Sequence, residues 1–160
     1  MGVAGSGKTT LGKELALTIG AEFFDADDYH SGLNIKKMQN GIPLSEADRD
    51  AWIAQIMQEL TPILLSDKAT IVLACSALTE KIQNIFYNYG FKLIWLVGKF
   101  EEIEERVVNR QGHFFPHNLL ASQFATLEEP KYAIKIDCST PKKLAVEHIL
   151  RTVQLQKDHN

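Results

Sequence analysis

Short apolar runs alternate along this chain with longer segments of helical periodicity, and that alternation predicts an α/β fold. Glu22–Asp25, Thr70–Ala74, Lys92–Val97 and Ala133–Asp137 read as strands. The near-continuous Ile, Val and Leu of the middle two suit parallel strands buried on both faces. Helical patterns occupy the intervals at Thr9–Ile19, Glu46–Leu65, Leu78–Tyr89, Phe100–Asn109 and Pro141–Gln154. Pro141 suits a first helical position after Ser139 or Thr140 as cap. Pro62 should bend or split the second of these helices. The order implies a central parallel sheet with helices on both faces, where ligands sit at the carboxyl ends of strands. Polar residues gather at those ends: Asp25 and Asp27 after one strand and Ser76 after another.

One octet narrows the reading. Gly2-Val3-Ala4-Gly5-Ser6-Gly7-Lys8-Thr9 matches G-x-x-x-x-G-K-[ST], the phosphate-binding loop of nucleoside triphosphatases and kinases. Its glycines allow a tight turn whose successive N–H groups point at phosphate oxygens. Lys8 can reach the β- and γ-phosphates, and the Thr9 hydroxyl can ligate Mg²⁺. The helix that follows, with Thr10 in its first turn, would direct its positive end at the same phosphates. Only Met1 precedes Gly2, so the strand that normally leads into such a loop is either truncated or replaced by a stub.

Bulk properties add limits. One hundred and sixty residues, 45% apolar and 23% charged, suit a single globular domain over 1–160 with no boundary inside it. A net charge of −3 argues against a general nucleic-acid binder. No apolar stretch approaches the ~20 residues of a membrane span, and no secretory signal precedes Gly2. Cys75 and Cys138 lack metal-site spacing and read as buried thiols, which suits a reducing cytoplasm.

Phosphoryl transfer needs Mg²⁺, cations for the developing negative charge and a group that orients the attacking hydroxyl. Phe24-Asp25-Ala26-Asp27-Asp28-Tyr29-His30 supplies carboxylates directly after a strand. Asp25 and Asp27, two apart, share a face of extended chain, so one can serve the metal and the other the substrate proton. Asp25 or Asp28 could alternatively cap the next helix. Arg106 and Arg110 lie one helical turn apart and could flank the nucleotide; equally, Glu102 could pair with Arg106 on an exposed face. His113, followed by two phenylalanines, begins a stretch of little periodicity that suggests a lid at about 111–130. Arg49 could be a solvated charge at a helix start, Trp52 and Met57 read as core, and Lys36 and Lys37 as solvated.

Taken together these strings resemble the gluconokinase family, small-molecule kinases related to shikimate kinase. To the loop and the Phe24–His30 stretch are added Asn34-Ile35-Lys36-Lys37-Met38, Gly41-Ile42-Pro43-Leu44, Asp48-Arg49 with Trp52, and Ala74-Cys75-Ser76-Ala77-Leu78. Arg106, Arg110 and His113-Phe114-Phe115 follow, then Leu119-Leu120-Ala121-Ser122-Gln123-Phe124 and Leu127-Glu128-Glu129-Pro130. The resemblance implies a P-loop kinase three-layer sandwich with a lid. It implies ATP- and Mg²⁺-dependent phosphorylation of D-gluconate on its 6-hydroxyl, and a homodimer. By position, Lys8, Asp27 and Arg110 would be catalytic, with Asp27 meeting the substrate hydroxyl and Arg110 the transferred phosphoryl. Residues 2–10 and Arg106 would hold the nucleotide, with Arg106 stacked on adenine. His30, Arg49, Ser76, His113 and Gln123 would face gluconate, and Thr9 and Asp25 the metal. After Leu78 the family usually has Lys and then a Tyr-Arg pair. Here Thr79, Glu80, Lys81, Ile82 and Gln83 stand instead, leaving Lys81 the only nearby basic replacement. That change leaves open a kinase for another sugar acid, and the missing first strand leaves open a nucleotide-binding protein without transfer activity.

Overall fold

The computed structural model describes residues 1–66, 70–109 and 116–157. Its strands form two parallel pairs. β1 (Glu22–Asp25) lies beside β2 (Ile71–Ala74), and β3 (Ile94–Val97) beside β4 (Ile134–Asp137). Met1 and Gly2 connect the pairs. The Leu96 N–H donates to the Met1 carbonyl at 2.9 Å, and the Gly2 N–H donates to the Ser76 carbonyl at 3.1 Å. The Met1 amino group also donates to the Ile94 carbonyl. A two-residue stub thus bridges the layer, and the phosphate loop leaves from its middle.

Helices cover both faces. They are α1 (Lys8–Ile19), α2 (Gly32–Gln39), α3 (Glu46–Leu64), α4 (Glu80–Asn88), α5 (Phe100–Val108), α6 (His117–Thr126) and α7 (Lys142–Lys157). Successive strand side chains point to opposite faces. Ile71 and Leu73 accordingly pack with Trp52, Ile56 and Leu60 of α3 and Phe86 of α4. Val72, Ile94 and Leu96 face the other way, towards Leu15 of α1 and Val146 and Ile149 of α7. A third cluster joins Val3 of the loop to Ile103 and Val107 of α5 and Leu120 of α6. Ile56, Leu60, Ile103 and Leu120 are among the largest fully buried side chains, each stabilising the fold by about 1.5–3 kcal/mol. The third cluster is the floor on which the functional elements rest.

Two expectations need correction. Pro62 does not split its helix: α3 runs unbroken over Glu46–Leu64 with Pro62 in its last turn, where the missing N–H costs one helical bond, that to the Gln58 carbonyl. Pro141 stands just before α7; its carbonyl accepts from the Ala145 N–H at 3.0 Å, while Ser139 binds Asp137 instead of capping. The helices α2 and α6 and the 3₁₀ turn Ala26–Tyr29 lie where no element is expected from periodicity. Among the described residues no helix is long and apolar enough to cross a membrane.

Candidate active site

The loop is shaped by what packs behind it. Gly5 has φ +78°, and a Cβ there would fall 2.5 Å from Val107 Cγ2, so only glycine lets the loop lie this close to α5. Gly7 closes the loop in the left-handed region, and no side chain caps the start of α1. That end therefore presents backbone N–H groups and the positive helix terminus towards an anion. The Lys8 ammonium donates to the Val3 carbonyl at 2.9 Å, folding its side chain over the loop.

Strand β1 delivers the carboxylates. Asp25 accepts from the Thr9 hydroxyl at 2.7 Å through one oxygen and from the Asp27 N–H at 3.2 Å through the other. It therefore both caps the 3₁₀ turn and fastens that turn to the loop threonine. The pair offers hard oxygen donors of the kind Mg²⁺ takes alongside phosphates and water. Among the described residues no group of three or more His, Cys, Asp or Glu forms a metal site. Asp27 is left exposed at the cleft, with His30 Nε2 3.9 Å from its Oδ1, beyond hydrogen-bond range. His30 stacks on Trp52 with centroids 4.5 Å apart, and the Trp52 indole donates to the Ala26 carbonyl at 2.7 Å. Trp52 is core, as expected, and it also holds the turn. Burial lowers the His30 pKa, partly opposed by Asp27, so the ring is neutral near pH 7.

These groups converge on one cleft of about 850 Å³. Ala4, Gly5, Gly7, Lys8, Thr9, Thr10 and Arg106 line one side, Asp27, His30, Arg49 and Trp52 another, and Ser76 and Gln123 complete it. Arg49 is no solvated charge: it lines the cleft and donates to the Leu44 carbonyl at 2.7 Å. Arg106 donates to the Cys138 carbonyl at 3.0 Å, which pins it at the end of β4. Gln123 reaches the loop, its Oε1 accepting from the Ala4 N–H at 2.6 Å.

A family model described as shikimate kinase matches residues 4–150. A probable gluconokinase of Mus musculus is 39% identical over 89% of this chain and 90% of its own length. The gluconokinase of Arabidopsis thaliana is 38% identical, covering 96% and 89%. The crystal structure of a gluconokinase from Sinorhizobium meliloti 1021 superposes with a TM-score of 0.86 at 30% identity, covering 100% of this chain and 94% of that one. The chain belongs to the gluconokinase family. Its three-layer arrangement is that of the P-loop kinases, and its place in the family carries with it a nucleotide substrate.

Within that family frame, two expected residues, Arg110 and His113, lie outside the described residues. Lys81 does not replace the family's basic pair. It bridges Glu46 at 3.0 Å and Asp50 at 2.8 Å, in a neighbouring cleft that shares only Arg49 with the first. Lys37, expected to be solvated, pairs with Asp48 at 2.6 Å. Cys75 is a buried free thiol pushed up to about 12 by desolvation, and Cys138 is half-buried and also free. Sequence reasoning missed Gln83. Buried in α4, it donates to the carbonyls of Ala77 at 3.1 Å and Glu128 at 2.8 Å. Ala77 has φ +44°, so this clamp holds a strained turn beside Ser76. The Glu128 carboxylate also accepts from the Glu80 N–H at the start of α4. A lone Gln in a helical pattern carries no signal for such a role; only the fold brings both carbonyls to it.

Proposed function

We propose that this chain transfers the γ-phosphoryl of ATP to the 6-hydroxyl of D-gluconate, giving 6-phosphogluconate and ADP. The observation that carries this is the single cleft in which the phosphate loop faces Asp27 and Arg49. The Asp27 carboxylate accepts the hydroxyl proton as the oxygen attacks phosphorus and the bond to the leaving ADP oxygen breaks. Lys8, the loop N–H groups and the N-terminus of α1 hold the phosphates and meet the growing charge. Thr9 and Asp25 would hold Mg²⁺, which when bound neutralises the phosphate oxygens. Arg106, fixed by the Cys138 carbonyl, flanks the base.

On the acceptor side, the planar fork of Arg49 matches the gluconate carboxylate. Neutral His30 serves hydroxyl groups and supplies no charge. Ser76 adds a hydroxyl at the same wall. Arg110 and His113 keep the roles the family resemblance implies, at the transferred phosphoryl and the sugar. The lid near 111–130 and a homodimer are part of the same proposal; light scattering checks the latter.

The test is ADP release measured over gluconate, shikimate, glycerate and water. Selective turnover with gluconate is expected, and Asp27→Asn should lower kcat by roughly 10²–10⁴-fold with little change in ATP affinity. Turnover with another acid in place of gluconate would move the substrate assignment, and an unimpaired Asp27→Asn enzyme would remove Asp27 from the mechanism.

A further inference from the structure

Helix α6 touches both halves of the cleft through two side chains five residues apart. Near its start, the Asn118 amide donates to the Gly41 carbonyl at 2.6 Å. In its second half, Gln123 Oε1 accepts from the Ala4 N–H at 2.6 Å. The chemistry of each partner leaves no choice of amide orientation. A backbone N–H can meet only the amide oxygen, and a carbonyl only the amide nitrogen. Gly41 is shaped for its contact: φ is +70°, and a Cβ there would fall 2.9 Å from both terminal atoms of Asn118. Leu120 and Phe124 fasten the opposite face of α6 to the floor beneath the loop, with Phe124 edge-on to Phe100 of α5 at 5.2 Å. Leu119, Ser122, Gln123 and Thr126 line the cleft.

We propose that α6 is a brace, with Asn118 and Gln123 as positioning residues that set the separation between the phosphate loop and the acceptor-side loop 41–44. Phosphoryl transfer depends on that separation, since a displacement of about 1 Å between reacting groups can cost 10²-fold in rate. Neither side chain needs to touch the reacting atoms for this role. The proposal rests on the kinase reading for its kinetic consequences, while the brace itself is a property of the fold.

The experiment compares Asn118→Ala, Gln123→Ala and the double variant. Each single change should lower kcat by roughly 10-fold or more while KM for ATP stays within about threefold. The double variant should be no worse than the poorer single to within about twofold, because a brace cut at one end is already lost. Asn118→Asp, unable to donate to the Gly41 carbonyl, should match Asn118→Ala. In the ligand-free protein, Gln123→Ala should also raise amide exchange across residues 41–44, and Asn118→Ala across residues 2–7. Kinetic effects that multiply, or exchange changes confined to the substituted end, overturn the brace. Absence of gluconate turnover in the unsubstituted protein removes the substrate assignment instead, and the exchange measurement then decides the brace alone.

Discussion

At Gly5 two constraints act in one direction. A side chain would be strained by the left-handed backbone, and its Cβ would meet Val107 Cγ2 at 2.5 Å. Strain of this kind costs about 1–2 kcal/mol and overpacking about 1–3 kcal/mol. Gly5→Ala should therefore destabilise the fold by about 2–5 kcal/mol in urea unfolding. Adding Val107→Ala should recover part of the loss, so the pair costs less than the sum of the singles. Strict additivity would show that the loop yields without pressing on α5. The same scale separates the roles proposed for His30, Arg49 and Asp27. His30 is buried against Trp52 and neutral, so on that wall of the cleft the guanidinium of Arg49 is a positive charge that His30 does not supply. Asp27, by contrast, stays exposed where a substrate can reach it.

Helix α3 presents Arg49 and Trp52, and its start is secured by a capping box. The Ser45 hydroxyl accepts from the Asp48 N–H, and the Asp48 carboxylate accepts from the Ser45 N–H at 2.9 Å. The Lys37 ammonium donates to that carboxylate at 2.6 Å, tying α2 to α3. The Lys37 contact, then the Ser45 bonds, hold the Asp48 pKa down at about 2. A depressed carboxylate pKa contributes stability that is present above the ordinary Asp value of about 3.9 and lost as pH falls towards the folded value. Acid unfolding should therefore show a loss of stability between about pH 4 and pH 2 that Asp48→Asn removes. An unchanged acid limb in that variant would show that other groups govern it. Periodicity identified α3 and its length, yet missed α2 and α6, for a physical reason. α6 turns Ser122, Gln123 and Thr126 towards the cleft and Leu120 towards the core, so polar residues line an interior wall. A pattern read as polar-out then loses its meaning.

At the scale of the whole molecule, Met1 and Gly2 bridge the two strand pairs, and Lys8, Thr9, Asp27, His30, Arg49, Ser76, Arg106 and Gln123 gather at one cleft, while Val3 and Ser6 of the loop are buried beneath it. A ligand seated on the loop would add its binding energy to the fold. A non-hydrolysable ATP analogue at a hundred times its Kd should stabilise the protein by about 2.7 kcal/mol. For a chain of this size that corresponds to a rise in Tm of roughly 5–10 °C. No shift at saturating analogue would exclude the loop as a nucleotide site. Fold class, the phosphate loop and family membership are legible in the sequence, because each rests on local spacing: period two, period 3.6, or a contiguous octet. The period-two reading of Asp25 and Asp27 does not hold, since Asp27 lies in a 3₁₀ turn that the Asp25 carboxylate caps, the alternative role the sequence left open for it. Local order, however, cannot reveal which charges are already committed. Lys81 and Lys37 are drawn away to acidic partners on α3, and Arg49 is turned into the cleft. Gln83 joins a nearby carbonyl, Ala77, to one distant in sequence, Glu128, Ala77 is held in a strained turn, and Asn118 and Gln123 reach across to opposite loops. These were decided by the tertiary structure, since a hydrogen bond depends on where distant backbone groups come to rest in space.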